Sequence, residues 1–596
     1  MIVSLGHGER ISWAAGTPAI GIAADDDDPD TVPAARAIPG ADGAARAVSI
    51  AAAPESREAF GYLFPDAATL PPIDKAAALD ALAAAMAETE GDSAAGDSDL
   101  PPVLTYFGQF IDHDITANTN SDAVTAALRI GVPAIVPQNR SLVVTGLKNM
   151  RKGTLGLDSL YGDGPIAGPM TDRIMAALRE GIKMRVGVAA KVRSGTRPTL
   201  PPPFPGLDAD GALRADLPRV GSLVGPGKPF ASTAELPEAL RPNGSSDNWS
   251  RRAFIGDSRN DENLIVAQLH TAFLRFHNAV VDWLGAAATF AKARQLVTWH
   301  YQWLIVNAYL PAICDGPTLA NVIANEAPVY KRFLSDRASS LDPGSLPLPL
   351  EFSAAAFRFG HSMVRAEYDY NANFNAEPDP SGADFSGSFA RMFSFTGNGA
   401  KPIGGEEGGG SPTLPDNWII DWARFTHPTT AMRRARRIDT ALTPPLFAMI
   451  NESAAANGLF QRLAARNLRR AHVLALPSAQ ALIEQMAAAG VAPSHALTAA
   501  ELRSGRTGQA IAAGGFDTAT PLWFYVLKEA ELIGGGNHLG PLGSRIVAET
   551  LFGLILNDKA SYWNRPGGRF HPDQGAKPRG ETVDSMTALF RAAGVA

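Results

Sequence analysis

Apolar residues recur at helical spacing along most of the chain after Leu100, and strand-like alternation is scarce. The spacing predicts a short amphipathic helix that ends at His113, built on Val103, Leu104, Phe107, Phe110 and Ile111. It predicts further helices over Glu262–Trp283, Thr289–Leu310 and Ala354–Val364. We therefore expect a mainly α fold with very little sheet, organised as one large helical domain with long loops.

Proline and glycine mark the connections between these helices. The richest stretches are predicted to be surface loops around a site, and they are Thr196–Gly206, Gly221–Pro229 and Gly397–Pro415.

Residues 1–98 differ in composition from residues 99–596, which we assign to the large domain. The first part is rich in Ala, Asp and Pro, and we expect a partly irregular N-terminal arm with one helix near Ile73–Glu90. Asp25–Asp28 form a run of four acids that lacks the alternating ligands and turn glycine of a calcium loop. We interpret this run as a solvated acidic loop.

Composition and charge exclude several classes of protein. The formal net charge is -7 with no basic block, so we expect no nucleic-acid partner. Cys314 is the one cysteine, which excludes an intrachain disulfide, a CxxCH haem attachment and a cysteine-based zinc or iron–sulfur site. No run of about 18 uncharged apolar residues occurs, so we expect no membrane span.

The first residues, MIVSLGHGERISW, do not look like a Sec signal peptide, because no charged segment precedes an apolar one. The expected location is the cytoplasm, or the outside by a route independent of such a signal.

Polar residues crowd the end of the helix that carries His113. Gln109, Asp112, His113 and Asp114 lie within six positions of each other on a helix whose other face is apolar. Such groups need partners when buried, so this concentration indicates a site. A solvent-exposed helix end would carry the same residues, and that alternative stays open.

The segment Gly256–Glu262 precedes the next long helix. Ser258 or Asn260 could cap that helix, and acids suit its first turn. The positive charge of Arg259 is unfavourable at a helix N-terminus, so we infer that Arg259 faces a site.

The segment Phe357–His361 contains a glycine next to a histidine. Gly360 costs about 1 kcal/mol relative to alanine inside a helix, and it either admits a flat group or eases packing. His361 alone would be interpreted as structural. His270 and His277 are seven residues apart, whereas a metal pair on one helix uses three or four, so both are interpreted as structural.

Together and in this order, these segments resemble the motifs of the peroxidase–cyclooxygenase superfamily, in its animal-type haem peroxidase branch, and the chain looks like a bacterial member. The resemblance covers roughly Leu100–Asn564. The stretches that carry the resemblance are Phe107–Asp114, Gly256–Glu262, Leu269–Asn278, Ala356–His361, Asn467–Pro477 and Leu539–Glu549.

The resemblance implies haem b held among core helices. It implies that His113 is the distal base, that Arg259 stabilises charge on the departing oxygen, and that Gln109 helps to hold distal water and halide. On the other face it makes His361 the proximal iron ligand, Asn467 its hydrogen-bond partner and Arg358 a neighbour of a haem propionate or of the proximal side.

Other positions match family features that this sequence supports only in part. Asp112 and Glu262 match the carboxylates that form ester links to haem in mammalian members, and Asn263 stands where a haem-linked methionine would be. Asp114 matches a calcium ligand. In the second calcium segment Gly156 replaces an aspartate, and Asp158 could substitute for it.

The resemblance thus implies an enzyme that reduces hydrogen peroxide and, through compound I, oxidises a small donor such as iodide, bromide, thiocyanate or a phenol. Arg358 stands where lipid-oxygenating relatives have a radical-forming tyrosine, which disfavours a fatty-acid dioxygenase. Further alternatives are a non-catalytic haem-binding or adhesion protein and a haem-free helical scaffold. The joint presence of the distal and proximal residues argues against a non-catalytic protein.

Overall fold

The computed structural model describes residues 2–4, 10–12, 59–73, 76–89, 93–116, 134–147, 149, 151–162, 176–191, 208, 210–236, 240–242, 249–337, 344–375, 385–394, 413–427, 432–450, 452 and 458–596. The acidic run Asp25–Asp28 and the connector Thr196–Gly206 lie outside these residues, as does most of the connector Gly397–Pro415.

Helices dominate these residues. The α-helices, labelled α1 to α18 in chain order, span Ala77–Ala85, Val103–Ile115, Arg140–Gly146, Asp158–Tyr161, Leu264–Leu284, Phe290–Leu304, Leu310–Ile313, Gly316–Ala324, Pro328–Ser335, Leu350–Ser353, Ala423–Thr426, Leu463–Val473, Ala479–Ala488, Ala499–Leu502, Gly508–Gly514, Leu522–Leu532, Pro541–Asn557 and Met586–Ala593. A π-helical turn covers Ile305–Tyr309.

Short 3₁₀ segments join many of these helices. They span Ala94–Gly96, Val220–Leu223, Thr233–Glu235, Trp249–Arg251, Ser258–Asp261, Gly285–Ala287, Ala356–His361, Arg391–Phe393, Asp416–Trp418, Pro444–Phe447, Pro572–Gln574 and Pro578–Gly580.

Sheet is confined, in the described parts of the chain, to four two-stranded pairs. Strands β1 to β8 span Ile2–Ser4, Arg10–Ser12, Phe60–Gly61, Arg179–Glu180, Lys183–Met184, Leu348–Pro349, Glu367–Tyr368 and Gly387–Ser388. The pair β3–β6 is parallel, with Phe60 opposite Leu348, and the other three pairs are antiparallel. The predicted fold class, mainly α with very little sheet, is confirmed.

The helix predicted to end at His113 and the helix predicted over Glu262–Trp283 are both present, but their observed ends differ from the predicted ones. Helix α2 continues to Ile115, two residues beyond His113. Helix α5 starts at Leu264 because the Asn263 side chain accepts a hydrogen bond from Val266 N at 3.0 Å. Neither Ser258 nor Asn260 caps it, so that prediction was wrong. Asp257 caps the short 3₁₀ segment before it.

Two other helix predictions need correction. The predicted helix Thr289–Leu310 is α6, which passes at Leu304 into the π-helical turn before α7. The predicted helix Ala354–Val364 is instead α10, Leu350–Ser353, followed by the 3₁₀ segment Ala356–His361. Ala355, at φ -136° and ψ -79°, separates the two because its backbone is not helical.

The centre of the molecule is formed by helices that are buried on nearly all sides. Helices α12, α16 and α17 belong to this group, as expected for helices that are enclosed by other elements. Helix α18 packs on α5, and Arg275 Nε donates to Ala593 O at 3.2 Å. None of the described helices combines the length and apolar character needed to cross a bilayer.

From residue 59 onward, the predicted arm packs into the same hydrophobic core. Phe60, Leu79 and Leu82 are buried there, and α1 lies against α12. Arg469 on α12 binds Asp80 on α1, with Nε 2.8 Å from Oδ1. The boundary at residue 98 stays a prediction, but the segment from residue 59 onward contributes to the core around the site.

Glu529 on α16 is a buried carboxyl group that contacts the start of α17. Its two oxygens accept hydrogen bonds from the backbone of Leu542 and Gly543 at 3.0–3.1 Å. Burial raises the pKa of Glu529 from 4.5 to about 8. Between these values the folded protein keeps a proton that the unfolded chain has lost, so this group lowers stability as pH rises through that window.

We expect Glu529→Gln to remove this pH-dependent loss, because the one amide oxygen can still accept from Leu542 N and Gly543 N and the side chain does not ionise. The Tm of the variant minus that of the wild type should rise from about pH 5 to about pH 9, reaching about 2 °C or more. Thermal unfolding followed by circular dichroism checks this. A Tm difference that is constant with pH would show that Glu529 titrates normally.

Candidate active site

A cleft, partly open to solvent, lies between the end of α2 and the segment around α10. Of the predicted site residues, Asp112, Arg259 and Arg358 line it. Its walls are formed by Phe60, Asp112, Thr116, Leu147, Arg259, Leu350, Ser353, Ala354, Arg358, Arg470 and Leu474.

His113 is buried beside the cleft, and its ring is held through one nitrogen. Nδ1 lies 2.8 Å from Oδ1 of Asn260. An amide oxygen only accepts, so Nδ1 carries the hydrogen and Nε2 keeps its lone pair. Burial, and then the charge of Arg259, lower the pKa of His113 below 6.5. The ring is therefore a neutral base at neutral pH.

Asn260 is held in turn by His270 on α5. Its Nδ2 lies 3.0 Å from Nδ1 of His270, and both residues are fully buried. Burial lowers the pKa of His270 to about 3, so this ring is neutral as well. The sequence signal for Asn260 was assigned to capping, and its contact with His113 was missed.

Arg259 lines the cleft, and its guanidinium is held by a carboxylate and two backbone carbonyl oxygens. Nη2 lies 2.7 Å from Asp257 Oδ2 and 3.0 Å from the carbonyl oxygen of His113, and it also contacts Thr116 O. Arg151 binds the same carboxylate at 2.6 Å. Burial would raise the pKa of Asp257, but the two guanidinium groups outweigh it and hold that pKa well below its ordinary value. The carboxylate thus stays charged and anchors Arg259.

Gln109 lies one helical turn before His113 and is half-buried. Its Oε1 accepts a hydrogen bond from Asn263 Nδ2 at 3.2 Å. Asn263 therefore has two functions, because its oxygen caps α5 and its amide nitrogen orients Gln109. Glu262 is buried next to it, and the charges of Asp112 and Glu262 both favour protonation of His113.

His361 ends the 3₁₀ segment Ala356–His361 and is half-buried. Its Nδ1 lies 3.0 Å from Nδ2 of Asn467, whose Oδ1 accepts from Arg470 Nη2 at 2.9 Å. In this orientation the amide donates to the ring. A neutral imidazole that coordinates a metal through Nε2 carries its hydrogen on Nδ1. That hydrogen needs an acceptor, so Oδ1 and Nδ2 of Asn467 would have to exchange places.

His361 has open space beside its neighbour Gly360 and the buried indole of Trp523 against its ring. No described atom lies within 4 Å of the place that a Cβ on Gly360 would occupy. Trp523 packs edge-on to His361 with ring centroids 6.4 Å apart, and its Nε1 donates to the carbonyl oxygen of Arg358 at 3.1 Å. Arg358 Nε donates to Ser353 O at 3.0 Å. The segment is thus fixed from one side.

Arg470 was missed from the sequence. It lies in the run Arg469–Arg470, three residues after Asn467, and this spacing puts it one turn along the same face of α12. This three-residue spacing from Asn467 was the sequence signal that could have identified Arg470 as a neighbour of Asn467.

Asp114 and Asp158, the predicted calcium ligands, lie in the same region, but backbone N–H groups bind the Asp114 carboxylate. Asp114 is fully buried, and its oxygens accept from Leu157 N at 3.0 Å and Ser159 N at 3.1 Å. Asp158 is buried in the same loop. Calcium takes 6–8 oxygen ligands, whereas two N–H groups point at this carboxylate. No cluster of three or more His, Cys, Asp or Glu that could hold a metal occurs among the residues searched.

His277 agrees with its structural interpretation. Its Nδ1 lies 3.0 Å from the Tyr161 hydroxyl and its Nε2 3.1 Å from Ile182 O.

Comparison with known proteins adds the family. A family model described as "Animal haem peroxidase" matches residues 218–403. This segment of the chain is therefore similar to animal haem peroxidases. It includes Arg259 and His361, whereas His113 and Asn467 lie outside the matched range.

Two relatives of the animal haem peroxidase segment extend the similarity. A "Peroxidase-like protein" of Margaritifera margaritifera is 27% identical over 285 residues, covering 46% of this chain and 33% of that protein. "Thyroid peroxidase" of Rattus norvegicus is 27% identical over 307 residues, covering 46% and 30%. The chain thus spans about a third of the length of these relatives.

A solved structure, the fatty acid alpha-dioxygenase of Oryza sativa, is similar at 14% identity with a TM-score of 0.47. The similarity covers 88% of this chain and 78% of that one.

Gly108 allows α2 to approach the π-helical turn closely. A Cβ at this position would lie 2.4 Å from the hydroxyl oxygen of Tyr309. We expect Gly108→Ala to destabilise the protein by about 1–3 kcal/mol through overpacking next to Gln109. Denaturant unfolding measures this.

The matched control is Tyr309→Phe, alone and combined with Gly108→Ala. Removing the hydroxyl should rescue the alanine variant, because the next atom, Tyr309 Cζ, lies 3.3 Å away. If the double variant is as unstable as Gly108→Ala alone, the close approach is not the cause.

Proposed function

We propose that this protein is a haem peroxidase that reduces hydrogen peroxide and oxidises a small-molecule donor. The observation that carries the proposal is the geometry around His113. A buried, neutral imidazole keeps a lone pair on Nε2, while Arg259, whose guanidinium is fixed by Asp257, lines the adjoining cleft. This pair is a general base beside a fixed positive charge.

The residues present fit a haem. His361 would hold the iron through Nε2, with Asn467 against Nδ1. Three arginines line one cleft, Arg259, Arg358 and Arg470, which suits a flat ligand with two carboxylates. The open space beside Gly360 lies next to His361 in the chain. Asp112 and Glu262 would supply carboxylates for ester links to the haem.

Bound haem would supply the iron and the oxidising equivalents that pass to the donor. His113 Nε2 would accept a proton from one oxygen of the peroxide and return it to the other, departing oxygen. Asn260 accepts from Nδ1–H and does not take that proton, because an amide oxygen is a very weak base. Arg259 stabilises the negative charge that develops on the departing oxygen.

Arg358 supports a peroxidase over a fatty-acid dioxygenase. It occupies the position three residues before His361, where an oxygenase of the same superfamily would need a tyrosine. A guanidinium cannot form a phenoxyl radical. The donors proposed are iodide, bromide, thiocyanate and phenols.

We assign no step to calcium, because the geometry around Asp114 does not resemble an oxygen shell. Calcium at Asp114 and Asp158 stays a prediction.

Haem-supplemented protein should show a strong Soret band, and His361→Ala should lose most of it because the iron loses its protein ligand. Added imidazole should restore part of the band by occupying the vacated space. The control is His495→Ala, a surface histidine whose nearest charged partner is Glu501. A wild-type protein without a Soret band would overturn the proposal.

We expect His113→Ala to keep the Soret band and to slow the peroxide-induced spectral change by about 10²–10⁴-fold, since general acid–base catalysis contributes that much. Stopped-flow absorbance measures the rate, and donor oxidation is followed on the same sample.

Oxygen uptake with a long-chain fatty acid in the absence of added peroxide discriminates the alternative. Fast uptake together with an absence of peroxide-dependent donor oxidation would favour the dioxygenase.

A further inference from the structure

Three buried polar groups form a continuous line that starts at His113. His113 Nδ1 lies 2.8 Å from Asn260 Oδ1, and Asn260 Nδ2 lies 3.0 Å from His270 Nδ1. The line joins α2, the 3₁₀ segment Ser258–Asp261 and α5, so that 147 positions of sequence separate the first two groups.

The donors and acceptors along this line follow from the orientation of the Asn260 amide. Its oxygen faces His113 and only accepts, and its nitrogen faces His270 and only donates, so in this orientation His113 carries hydrogen on Nδ1 and His270 carries it on Nε2. If the amide of Asn260 were turned over, its nitrogen would face His113 Nδ1. Nε2 of His113 would then carry the hydrogen and lose the lone pair that a base needs.

His270 is costly for the fold in its own right. Its Nε2 is buried and has no hydrogen-bond partner among the described residues, and its ring packs edge-on against Phe110 at 6.0 Å. An unsatisfied buried polar atom costs about 1–3 kcal/mol. A histidine that served packing alone would be replaced without loss by an apolar residue. The hydrogen bond to Asn260 is what distinguishes this position.

We propose that Asn260 and His270 are positioning residues that fix the tautomer of His113. Asn260 holds the hydrogen of His113 on Nδ1, and His270, with its own hydrogen on Nε2, accepts from the amide nitrogen and keeps the amide in this orientation. This inference rests on the proposed function, in which His113 is the base.

The neutral amide also differs from a carboxylate in its effect. It accepts a hydrogen bond from His113 without withdrawing the proton, so the proton that Nε2 takes up must leave again from Nε2. The line therefore sets the direction of proton transfer as well as the orientation of the ring.

The first experiment measures ligand binding, which depends on the tautomer and requires no turnover. Hydrogen cyanide must lose a proton to a distal base when it binds ferric haem, whereas carbon monoxide binds ferrous haem without proton transfer. We expect Asn260→Leu to lower the cyanide association rate by about ten- to a hundredfold and to leave the carbon monoxide rate unchanged.

Two variants test the direction of the effect. Asn260→Asp keeps an acceptor for Nδ1–H and should recover most of the cyanide rate. His270→Phe frees the amide to turn and should give an intermediate rate. The matched control is Thr271→Val, which removes a neighbouring buried hydroxyl that bonds within α5 to Ala267 O at 2.9 Å, and which should behave as wild type.

The second experiment determines the tautomers directly. Long-range nitrogen–proton NMR on protein labelled only at histidine, in the diamagnetic carbon monoxide form or without haem, should show His113 protonated at Nδ1 and His270 at Nε2. Single replacements of each histidine assign the signals.

The outcomes separate the two proposals. A wild-type protein that binds no haem overturns the proposed function, while the NMR spectrum still decides the tautomers. A Soret band with an unchanged cyanide rate in Asn260→Leu, or a His113 ring protonated at Nε2, overturns the inference and leaves the peroxidase proposal intact. If Asn260→Leu fails to fold, Asn260→Asp and His270→Phe carry the same comparison.

Discussion

Each of the two candidate site histidines is held through Nδ1 by a buried carboxamide. Asn260 contacts His113 and Asn467 contacts His361, at 2.8 Å and 3.0 Å. A carboxamide restrains an imidazole without giving it a charge, so the ring nitrogen on the opposite side keeps a defined state in a buried place. The positions of α2, α12 and the 3₁₀ segments Ser258–Asp261 and Ala356–His361 matter to the site mainly because they bring these amides to the rings.

The two amides are oriented differently relative to their imidazoles. Asn260 presents its oxygen to His113 and its nitrogen to His270. Asn467 presents its nitrogen to His361 because Arg470, a donor, holds its oxygen. A haem iron bound at Nε2 would favour the opposite arrangement at Asn467, so the orientation of this amide would depend on the cofactor.

Buried charge around the cleft is balanced in pairs. Asp257 lies between Arg259 and Arg151, and a second carboxylate of the same segment, Asp261, binds Arg219 at 2.9 Å. Loss of one partner of a buried pair is strongly destabilising, so these contacts hold the segment in a single conformation. Arg259 can therefore face the cleft with little freedom, which is what stabilisation of developing charge requires.

The helical fold class, the approximate extent of α2 and α5 and the polar positions could be predicted from the amino-acid sequence, because helical periodicity is local and needs no knowledge of partners. Asn467 and Arg259 were predicted through a resemblance of ordered motifs. That Asn260 faces His113 instead of capping a helix, and that Arg470 restrains Asn467, became visible in the folded structure alone. The folded structure also decided that the segment before His361 is a 3₁₀ turn and that residues from 59 onward join the core. These outcomes depend on which distant elements pack together, and the spacing of residues along the chain does not indicate those contacts.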